Sequence, residues 1–404
     1  MAPLKAISHG GEVRVAGRRK LLAAAAAGIF MFGVVMALLG ATLLPLAQRI
    51  HLDSGRAGDL FLVMNFGIFL ALVLSGPAFD RFGTRPVLLV SALLLAGGLL
   101  VLAAAGNVPR LGLAVFVIGL GGGGLNTGAN ALVSDAYAEE RGPALNVLGI
   151  FFGFGAVALP FTITAISERF SLGQILAAAA ALPLACAAAY ALLAFPPARE
   201  ARGFRLREAL GVARNPRVLL FAFLLFFQSG NEFTMGGWIS SFVAKETGAS
   251  VRFATLALTG YWAAMMLGRL LSARLLRYVR DANLVIASGA LAALATALLL
   301  AARSPGAAAG AVALIGFAYA AIYPTTLGMA GDRFPRFLGT VFGVLFSIAL
   351  IGGMSFPWAA GHLAQASGFR AGLALPLLGA TGVALLGLVI LRTSPSPSVG
   401  IMRE

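Results

Sequence analysis

The sequence predicts an all-α membrane protein with twelve transmembrane helices, arranged as two pseudo-symmetric six-helix bundles. The 404 residues are 59% hydrophobic and only 11% charged, whereas a soluble domain carries roughly 25% charged residues. The chain contains many apolar stretches that are each long enough to cross a bilayer, which takes about 20 residues. Matching residues also recur in the two halves of the chain at a constant spacing. Together these observations predict the fold class.

The apolar stretches define twelve predicted membrane segments, numbered 1 to 12 in chain order. They cover residues 21–47, 58–79, 86–105, 111–136, 145–166, 173–195, 218–243, 253–276, 284–302, 307–330, 337–361 and 371–391. Helices are expected because lipid offers no partner for an unsatisfied backbone group, and a helix satisfies its own groups. A transmembrane barrel would show short alternating strands instead, and the sequence lacks that pattern.

Five residues of the first half recur 197 residues later in the second half. Gly119, Asp135, Gly142, Gly155 and Pro160 match Gly316, Asp332, Gly339, Gly352 and Pro357. Glycine matches carry little weight in a chain with 51 glycines, but the aspartate and proline pairs are harder to attribute to chance. The spacing predicts bundles at 21–198 and 218–392, a basic linker at 199–217, and tails at 1–20 and 393–404. Two parallel halves are typical of transporters that rock around a central site.

The positive charge follows the predicted topology. The net charge is +15, and the connections on one side of the membrane, together with both tails, hold 21 of the 30 Lys and Arg residues. The connections on the other side hold eight, and the remaining one, Arg269, lies well inside segment 8. Because cytoplasmic loops carry the excess of basic residues, both termini are expected in the cytoplasm of a plasma membrane, such as a bacterial inner membrane. The charge therefore predicts contact with lipid and no nucleic-acid partner.

The loop between segments 2 and 3 is predicted to form a cytoplasmic gate. It runs Gly76-Pro-Ala-Phe-Asp80-Arg81-Phe-Gly83-Thr-Arg85, and a weaker copy extends from Gly268-Arg269 to Arg277. A small glycine lets segment 2 pack tightly on a helix of the other half, and an aspartate at a helix end can accept charged hydrogen bonds. Asp135 and Asp332 are predicted to be latch partners of the arginines in the loop and its copy. Alternatively, these aspartates and arginines are solvated charges in loops. The predicted gate comprises Gly76, Asp80, Arg81, Gly83, Arg85, Asp135, Arg269, Arg277 and Asp332.

Segment 7 contains the acid that is best placed for function. Glu232 lies well inside an apolar stretch, and an ionisable residue at membrane depth is costly and usually functional. At about 100° per residue, one arc of about 120° on this helix holds Gln228, Asn231, Glu232, Met235 and Trp238. Such an arc is expected to line a cavity. Glu232 could carry a proton in a symporter, or it could be a structural acid in a carrier without proton coupling.

Polar and aromatic residues in other segments are predicted to complete a substrate site. Amide groups bond hydroxyl groups, and aromatic rings cover the apolar face of a sugar, so this combination suits a hydroxyl-rich ligand. For any single residue, interhelical hydrogen bonding or aromatic packing is the alternative interpretation. The residues concerned, besides those of segment 7, are Asn65, Asn126, Asn130, Tyr261, Trp262, Tyr319 and Tyr323.

The gate loop resembles the signature of the major facilitator superfamily, and the twelve-segment layout extends that resemblance over almost the whole chain. Within the superfamily, the run from Gly119 to Asn130 and the acid-and-tryptophan pattern of Glu232 and Trp238 resemble the fucose–glucose–galactose proton symporters. Fucose carriers have an acid in segment 1 and another in segment 4, where this chain has Ala41, or a near neighbour, and Asn126. The resemblance implies alternating access and a latch that favours the outward-open state, but not fucose as the substrate.

These features predict secondary active transport of a small polar solute, a sugar or sugar-like compound, with proton coupling left open. The alternative is a proton-antiporting exporter of drugs or other amphiphiles, although segment 5 lacks the Gly-Pro adjacency of the antiporter motif in that superfamily. An enzyme is not expected, since the three histidines form no catalytic or zinc motif. No cofactor or metal is expected, and the expected partners are the solute, protons and lipid, around a monomer.

Overall fold

The computed structural model describes residues 8–137, 140–195, 211, 214–334 and 338–393. We number its membrane helices α1 to α12 in chain order, and each overlaps one predicted segment. The continuous helices are α1 (Ser8–Ile50), α2 (Ser54–Phe82), α3 (Thr84–Ala103), α4 (Val108–Ala136), α5 (Arg141–Ile166), α7 (Pro216–Thr247), α8 (Val251–Leu275), α9 (Asp281–Ala301) and α11 (Leu338–Ser367). The interrupted ones are α6 (Leu172–Ala179 and Ala181–Leu192), α10 (Pro305–Tyr319 and Ile322–Arg333) and α12 (Phe369–Gly372 and Ala374–Thr393).

The predicted all-α membrane fold is confirmed. In the described part of the chain, eleven helices are long and apolar enough to cross a membrane. The helix outside that set is α8, whose 25 residues include Arg252, Arg269 and Arg274. Arg252 and Arg274 are exposed near the two ends of α8, whereas Arg269 lies between them, where α8 packs against α5, α7 and α10.

The break in α10 has a local cause. Proline lacks an N–H group, and its ring clashes with the carbonyl group four residues earlier. Pro324 therefore disfavours a regular helix at Ala320, where the first part of α10 has just ended. Ala320 instead bonds through its N–H group to the Phe317 carbonyl oxygen at 3.3 Å. The break lies between Tyr319 and Tyr323, so it sets the relative directions of two predicted site residues.

The repeat seen in the sequence corresponds to equivalent helix crossings. A Cβ atom added at Gly119 would lie 2.0 Å from the Met64 carbonyl oxygen, and one added at Gly316 would lie 2.2 Å from that of Tyr261. Met64 and Tyr261 are themselves 197 residues apart. Only a residue without a side chain fits so close to a neighbouring backbone. Hence α4 crosses α2 in the first half as α10 crosses α8 in the second.

A second pair of crossings follows the same rule. A Cβ atom at Gly155 would lie 1.9 Å from the Phe30 carbonyl oxygen, and one at Gly352 would lie 2.0 Å from that of Phe226. These contacts join α5 to α1 and α11 to α7.

The predicted linker at 199–217 falls largely on residues 196–210 and 212–213, which lie outside the described residues. Residues 1–7 and 394–404 of the predicted tails also lie outside them.

The two halves meet through α2 against α11, α5 against α8, and α1 against α7. Their close contacts lie toward the end of the bundle that is opposite the chain termini. At Gly40 of α1, an added Cβ atom would lie 1.9 Å from the Gly236 carbonyl oxygen of α7. Nearer that end, Asp59 of α2 accepts hydrogen bonds from Trp358 Nε1 and pairs with His362 Nε2 of α11, both at 3.0 Å.

The end of the bundle that carries the termini is less tightly joined. Among the described residues, no atom from beyond the adjacent turns of the same helix lies within 4 Å of the position that a Cβ atom would take at Gly76 or at Gly149. The tight contact that the sequence predicts for Gly76 is therefore absent from this conformation. The structure is closed between its halves at the far end, which is the arrangement expected when a gate near the termini is open.

Candidate functional site

Glu232 occupies the middle of a largely enclosed helix, α7. α7 contacts α1, α8, α10, α11 and α12, and Glu232 itself is only 8% exposed. Residues 228–232 and 234–243 of this helix are all buried. A carboxyl group in such a position needs a partner, because a buried charge is costly unless it is paired and hydrogen-bonded.

The partner of Glu232 is Arg269 of α8. The Glu232 Oε1 and Arg269 Nη2 atoms are 3.8 Å apart, and the two side chains are 10% and 29% exposed. The guanidinium carbon of Arg269 lies 5.4 Å from the centre of the Phe152 ring on α5, and its Nη2 is 3.6 Å from Met265 Sδ. An ion pair of the second half thus lies against an aromatic ring of the first half.

Arg269, which the sequence pattern assigns to the gate, therefore lies beside the buried acid instead. Its gate assignment rests on the weak repeat of the loop after segment 2, and the contact with Glu232 crosses from α8 to α7. The signal for its position is present in the sequence, since Arg269 lies well inside predicted segment 8, whereas Arg274 lies only two residues from the end of that segment. Phe152 carries no comparable signal, because it is one of 29 phenylalanines.

Aromatic residues surround this pair on the α8 side. The Trp262 ring meets the Phe152 ring edge-on at 6.2 Å and the Tyr261 ring at 5.0 Å. The Tyr261 hydroxyl donates a long hydrogen bond of 3.5 Å to the Glu232 carbonyl oxygen. Both Tyr261 and Trp262 are buried, so the structure brings these two predicted residues together with Glu232.

Gln228 and the two tyrosines of α10 lie on the neighbouring side. Gln228 lies one helical turn before Glu232, and its Nε2 donates to the Tyr319 carbonyl oxygen at 3.5 Å. Tyr319 is buried. Tyr323, beyond the break in α10, stacks on Phe346 of α11 with the ring centres 6.4 Å apart.

The predicted arc on α7 divides into two directions. Asn231 faces α12, because a Cβ atom added at Gly379 would lie 2.0 Å from its Oδ1 atom. Trp238 packs toward the closed end, where its ring lies 5.3 Å from Phe61 and its Nε1 donates to the Pro357 carbonyl oxygen at 3.0 Å. Asn231 and Trp238 therefore point away from the group around Glu232, and the structure places neither beside the ion pair.

The asparagines of the first half form a separate polar group. Asn130 Nδ2 donates to the backbone and side-chain oxygens of Asn126 at 2.8 and 3.1 Å. This half-buried pair lies between the Gly122 face of α4, which packs on α1, and the Gly123 face, which packs on α2. Asn65 is buried, and its Nδ2 bonds the Phe61 carbonyl oxygen of its own helix at 2.8 Å. Among the described residues, no hydrogen bond joins these asparagines to Glu232.

Several buried polar atoms near the ion pair have no hydrogen-bond partner within the described protein. They are Gln228 Oε1, Trp262 Nε1 and Arg269 Nε. A buried polar group without a partner costs free energy, on the order of 1–3 kcal/mol. A polar solute or water that enters beside Glu232 can supply the hydrogen bonds that these atoms lack within the protein. Among the described residues, no group of three or more His, Cys, Asp or Glu side chains could hold a metal ion.

The remaining residues of the predicted gate lie at the end that carries the termini. Gly83 joins α2 to α3 with a φ of 79°, a conformation that favours glycine. Arg85 Nε donates to the Tyr190 carbonyl oxygen at 3.1 Å, and its Nη2 bonds that of Ala191, so it caps α6 of its own half. The Asp80 side chain lies outside the described residues, and Arg81, Arg277 and Asp332 are exposed. Asp135 is near the end of α4, as Asp332 is near the end of α10.

A comparison with models of protein families identifies the family of this chain. A model described as "Major Facilitator Superfamily" matches residues 25–243 and 221–401. The chain belongs to the Major Facilitator Superfamily. The resemblance seen in the gate loop is therefore confirmed, and membership places the chain in a family of transporters rather than of enzymes.

Relatives of this chain within the superfamily are named for several different substrates. The glucose/galactose transporter of Brucella abortus biovar 1 is 26% identical over 381 residues, which cover 89% of this chain and 91% of that protein. The 4-hydroxybenzoate transporter PcaK of Pseudomonas putida is 33% identical over 126 residues, 31% of this chain and 28% of that protein. The sodium-dependent glucose transporter 1 of Xenopus laevis is 28% identical over 127 residues, 31% of this chain and 26% of that protein. The last two alignments span less than a third of those proteins.

Among solved structures, the D-xylose-proton symporter has the same fold. Its TM-score is 0.79 at 16% sequence identity, and the match covers 93% of this chain and 98% of that chain. At this identity the likeness supports the superfamily fold alone. The full-length match to a glucose/galactose transporter agrees with the resemblance to that group of symporters that the sequence indicates.

Proposed function

We propose that this superfamily member is a secondary active transporter for a small polar solute, a sugar or sugar-like compound. The solute binds between the two halves, and alternating access moves it across the membrane. The observation that carries the proposal is the contact of Glu232 with Arg269 beside Phe152. This contact puts charged groups of one half against the other half in the interior of a membrane bundle.

An ionisable pair is expensive to keep at membrane depth, so it is expected where it serves transport. The unpartnered polar atoms of Gln228, Trp262 and Arg269 add donors and acceptors that a hydroxyl-rich solute can satisfy. The rings of Tyr261, Trp262 and Phe152 supply apolar faces beside them. The glucose/galactose transporter matched over most of this chain supports a sugar-like solute.

Proton coupling through Glu232 belongs to the same proposal. Burial disfavours the charged form of a carboxylate, whereas Arg269 favours it. A solute or conformational change that moves Arg269 away would shift this balance toward protonation. Glu232 can then exchange a proton between the two sides of the membrane.

The proposed location is the plasma membrane of a bacterium, with both termini in the cytoplasm and the protein acting as a monomer. The excess of 21 basic residues over eight supports this orientation. In that orientation the structure is closed toward the outside and open toward the cytoplasm. The contacts of Asp59 with Trp358 and His362 then form part of the outer seal.

Uptake by proteoliposomes tests the proposal. Purified protein would be reconstituted and supplied with a panel of labelled sugars and sugar acids, such as glucose, galactose, xylose and glucuronate, with and without an inward proton gradient. We expect accumulation above the equilibrium level only when the gradient is present. Expulsion of solute driven by the same gradient would support the antiporting exporter instead, and no gradient-dependent movement of any polar solute would contradict the proposal.

A further inference from the structure

We propose that the transported solute carries a carboxylate group, which binds the guanidinium group of Arg269. This inference rests on the transport function proposed above and narrows its substrate to hydroxylated organic acids, of which sugar acids are representative. It starts from the hydrogen bonds that Arg269 leaves unmade.

Arg269 has more donors than its protein partners use. A guanidinium group carries five N–H donors and no acceptor. The Glu232 oxygen is 3.8 Å from Nη2, whereas charge-assisted hydrogen bonds of this kind are about 2.7–2.9 Å long. The other contact of Nη2 is the weak acceptor Met265 Sδ at 3.6 Å, and Nε is buried without a partner. The guanidinium therefore lacks a close anionic oxygen.

The planar guanidinium is suited to the missing partner. Arginine binds carboxylates through two parallel hydrogen bonds and also packs on aromatic faces. In this structure the Phe152 ring supports it from the side of the first half at 5.4 Å. The Arg269 side chain remains 29% exposed, so a small solute can reach it. A carboxylate that binds here would lie where the two halves meet.

The balance of charge in the site also favours a solute with a carboxylate group. Arginine stays charged in proteins, and an uncompensated charge is costly at membrane depth. When Glu232 accepts a proton, the Arg269 charge loses its compensating anion. A neutral solute would leave the site with a net positive charge, but an organic acid restores neutrality. Binding of the proton and of the acid therefore favour each other, which couples their transport.

The sharpest test uses pairs of solutes that differ in a single carboxylate. D-glucuronate is compared with D-glucose, D-gluconate with D-sorbitol, and 4-hydroxybenzoate with 4-hydroxybenzyl alcohol, by equilibrium binding to the full-length purified protein. We expect the acid to bind at least about 30-fold more tightly in one or more pairs, as for other pairs of desolvated charges. Tighter binding of the neutral member in every pair that binds would overturn the inference.

Two variants are expected to act in opposite directions on the binding of that acid. Arg269→Gln removes the cation, so the preference for the acid disappears. Glu232→Gln removes the competing carboxylate, so the acid binds several-fold more tightly. Arg274→Gln is the matched control, because Arg274 is an exposed basic residue of the same helix. An acid preference that survives in Arg269→Gln would overturn the inference. If that variant does not fold, unchanged or weakened acid binding in Glu232→Gln has the same meaning.

The experiment separates this inference from the proposed function. If neutral sugars bind and are transported while their acids are excluded, the transporter proposal stands and only the carboxylate inference fails. If no member of any pair binds or is transported, the proposed function fails, and the inference that rests on it fails with it.

Discussion

At the scale of single residues, the account depends on Glu232 and on what its carboxylate does. We predict that Glu232→Gln abolishes proton-driven accumulation but leaves exchange of solute across the membrane intact, because amide and acid have similar shapes and only the acid exchanges a proton. Counterflow and gradient-driven uptake in proteoliposomes measure the two activities separately.

Glu168→Gln is the matched control for this substitution, since Glu168 makes an exposed ion pair of 2.5 Å with Arg252. Exposed pairs contribute little to stability, so both activities should persist in the control. Normal accumulation in Glu232→Gln would remove the coupling role from this residue.

The sequence identified Glu232 as a site residue but assigned Arg269 to the gate, so it did not predict their contact. Glu232 and Arg269 could be recognised because each interrupts an apolar stretch. Their pairing could not, because it depends on how α7 and α8 are rotated about their axes. The same rotation turns Asn231 toward Gly379 and away from Glu232, although a helical wheel places both residues on one arc. The periodicity of the sequence shows which residues share one face of a helix, whereas the packing of the helices decides which neighbouring helix each of those residues contacts.

At the scale of helices, glycine positions set how closely the segments approach. We predict that Gly316→Val lowers the free energy of unfolding by about 1–3 kcal/mol, the range for overpacked sites. The added side chain would meet the Tyr261 backbone, where even a Cβ atom would lie 2.2 Å from the carbonyl oxygen. Denaturation of the detergent-purified protein measures the change.

Gly310→Val is the control within the same helix. No atom of a neighbouring helix in the described part of the chain lies within 4 Å of the Cβ position at Gly310, and the substitution changes helix propensity by the same amount. The control should therefore unfold close to the wild type. Equal loss of stability in both variants would mean that the α8–α10 crossing tolerates a side chain, and the packing argument would be wrong.

The number and order of the helices could be predicted because lipid requires long apolar stretches. Their ends could not be placed as well. Polar residues such as Asn107, Asn215 and Ser250 cap α4, α7 and α8 through hydrogen bonds to the first turn, so these helices begin two or three residues before the apolar stretches. The apolar pattern also did not predict the break in α10, although Pro324 indicates where a regular helix is disturbed.

At the scale of the whole molecule, the two halves close on each other at one end. We predict that Gly40→Leu prevents this closure, because even a Cβ atom at this position would lie 1.9 Å from the Gly236 carbonyl oxygen of the other half. Solute transport should fall at least about tenfold, since a transporter that cannot close at one end cannot complete its cycle.

A membrane-impermeant thiol reagent can test this prediction from the side opposite the termini, with a cysteine introduced at Phe61 near the seal. Labelling of that cysteine should rise in Gly40→Leu. Gly260→Leu serves as the control, because the space beside Gly260 is open. Unchanged transport and labelling in Gly40→Leu would show that the halves do not need this contact.

The central claim is that solutes pass beside Glu232, between two homologous halves. The chain has a single cysteine, Cys186, so Glu232→Cys in a Cys186→Ala background gives one thiol at this position. The account predicts that a small membrane-impermeant methanethiosulfonate labels this thiol from the side that carries the termini, and that the bound solute slows the labelling. A thiol that stays unlabelled in the folded protein from both sides, but reacts after denaturation, would contradict the account.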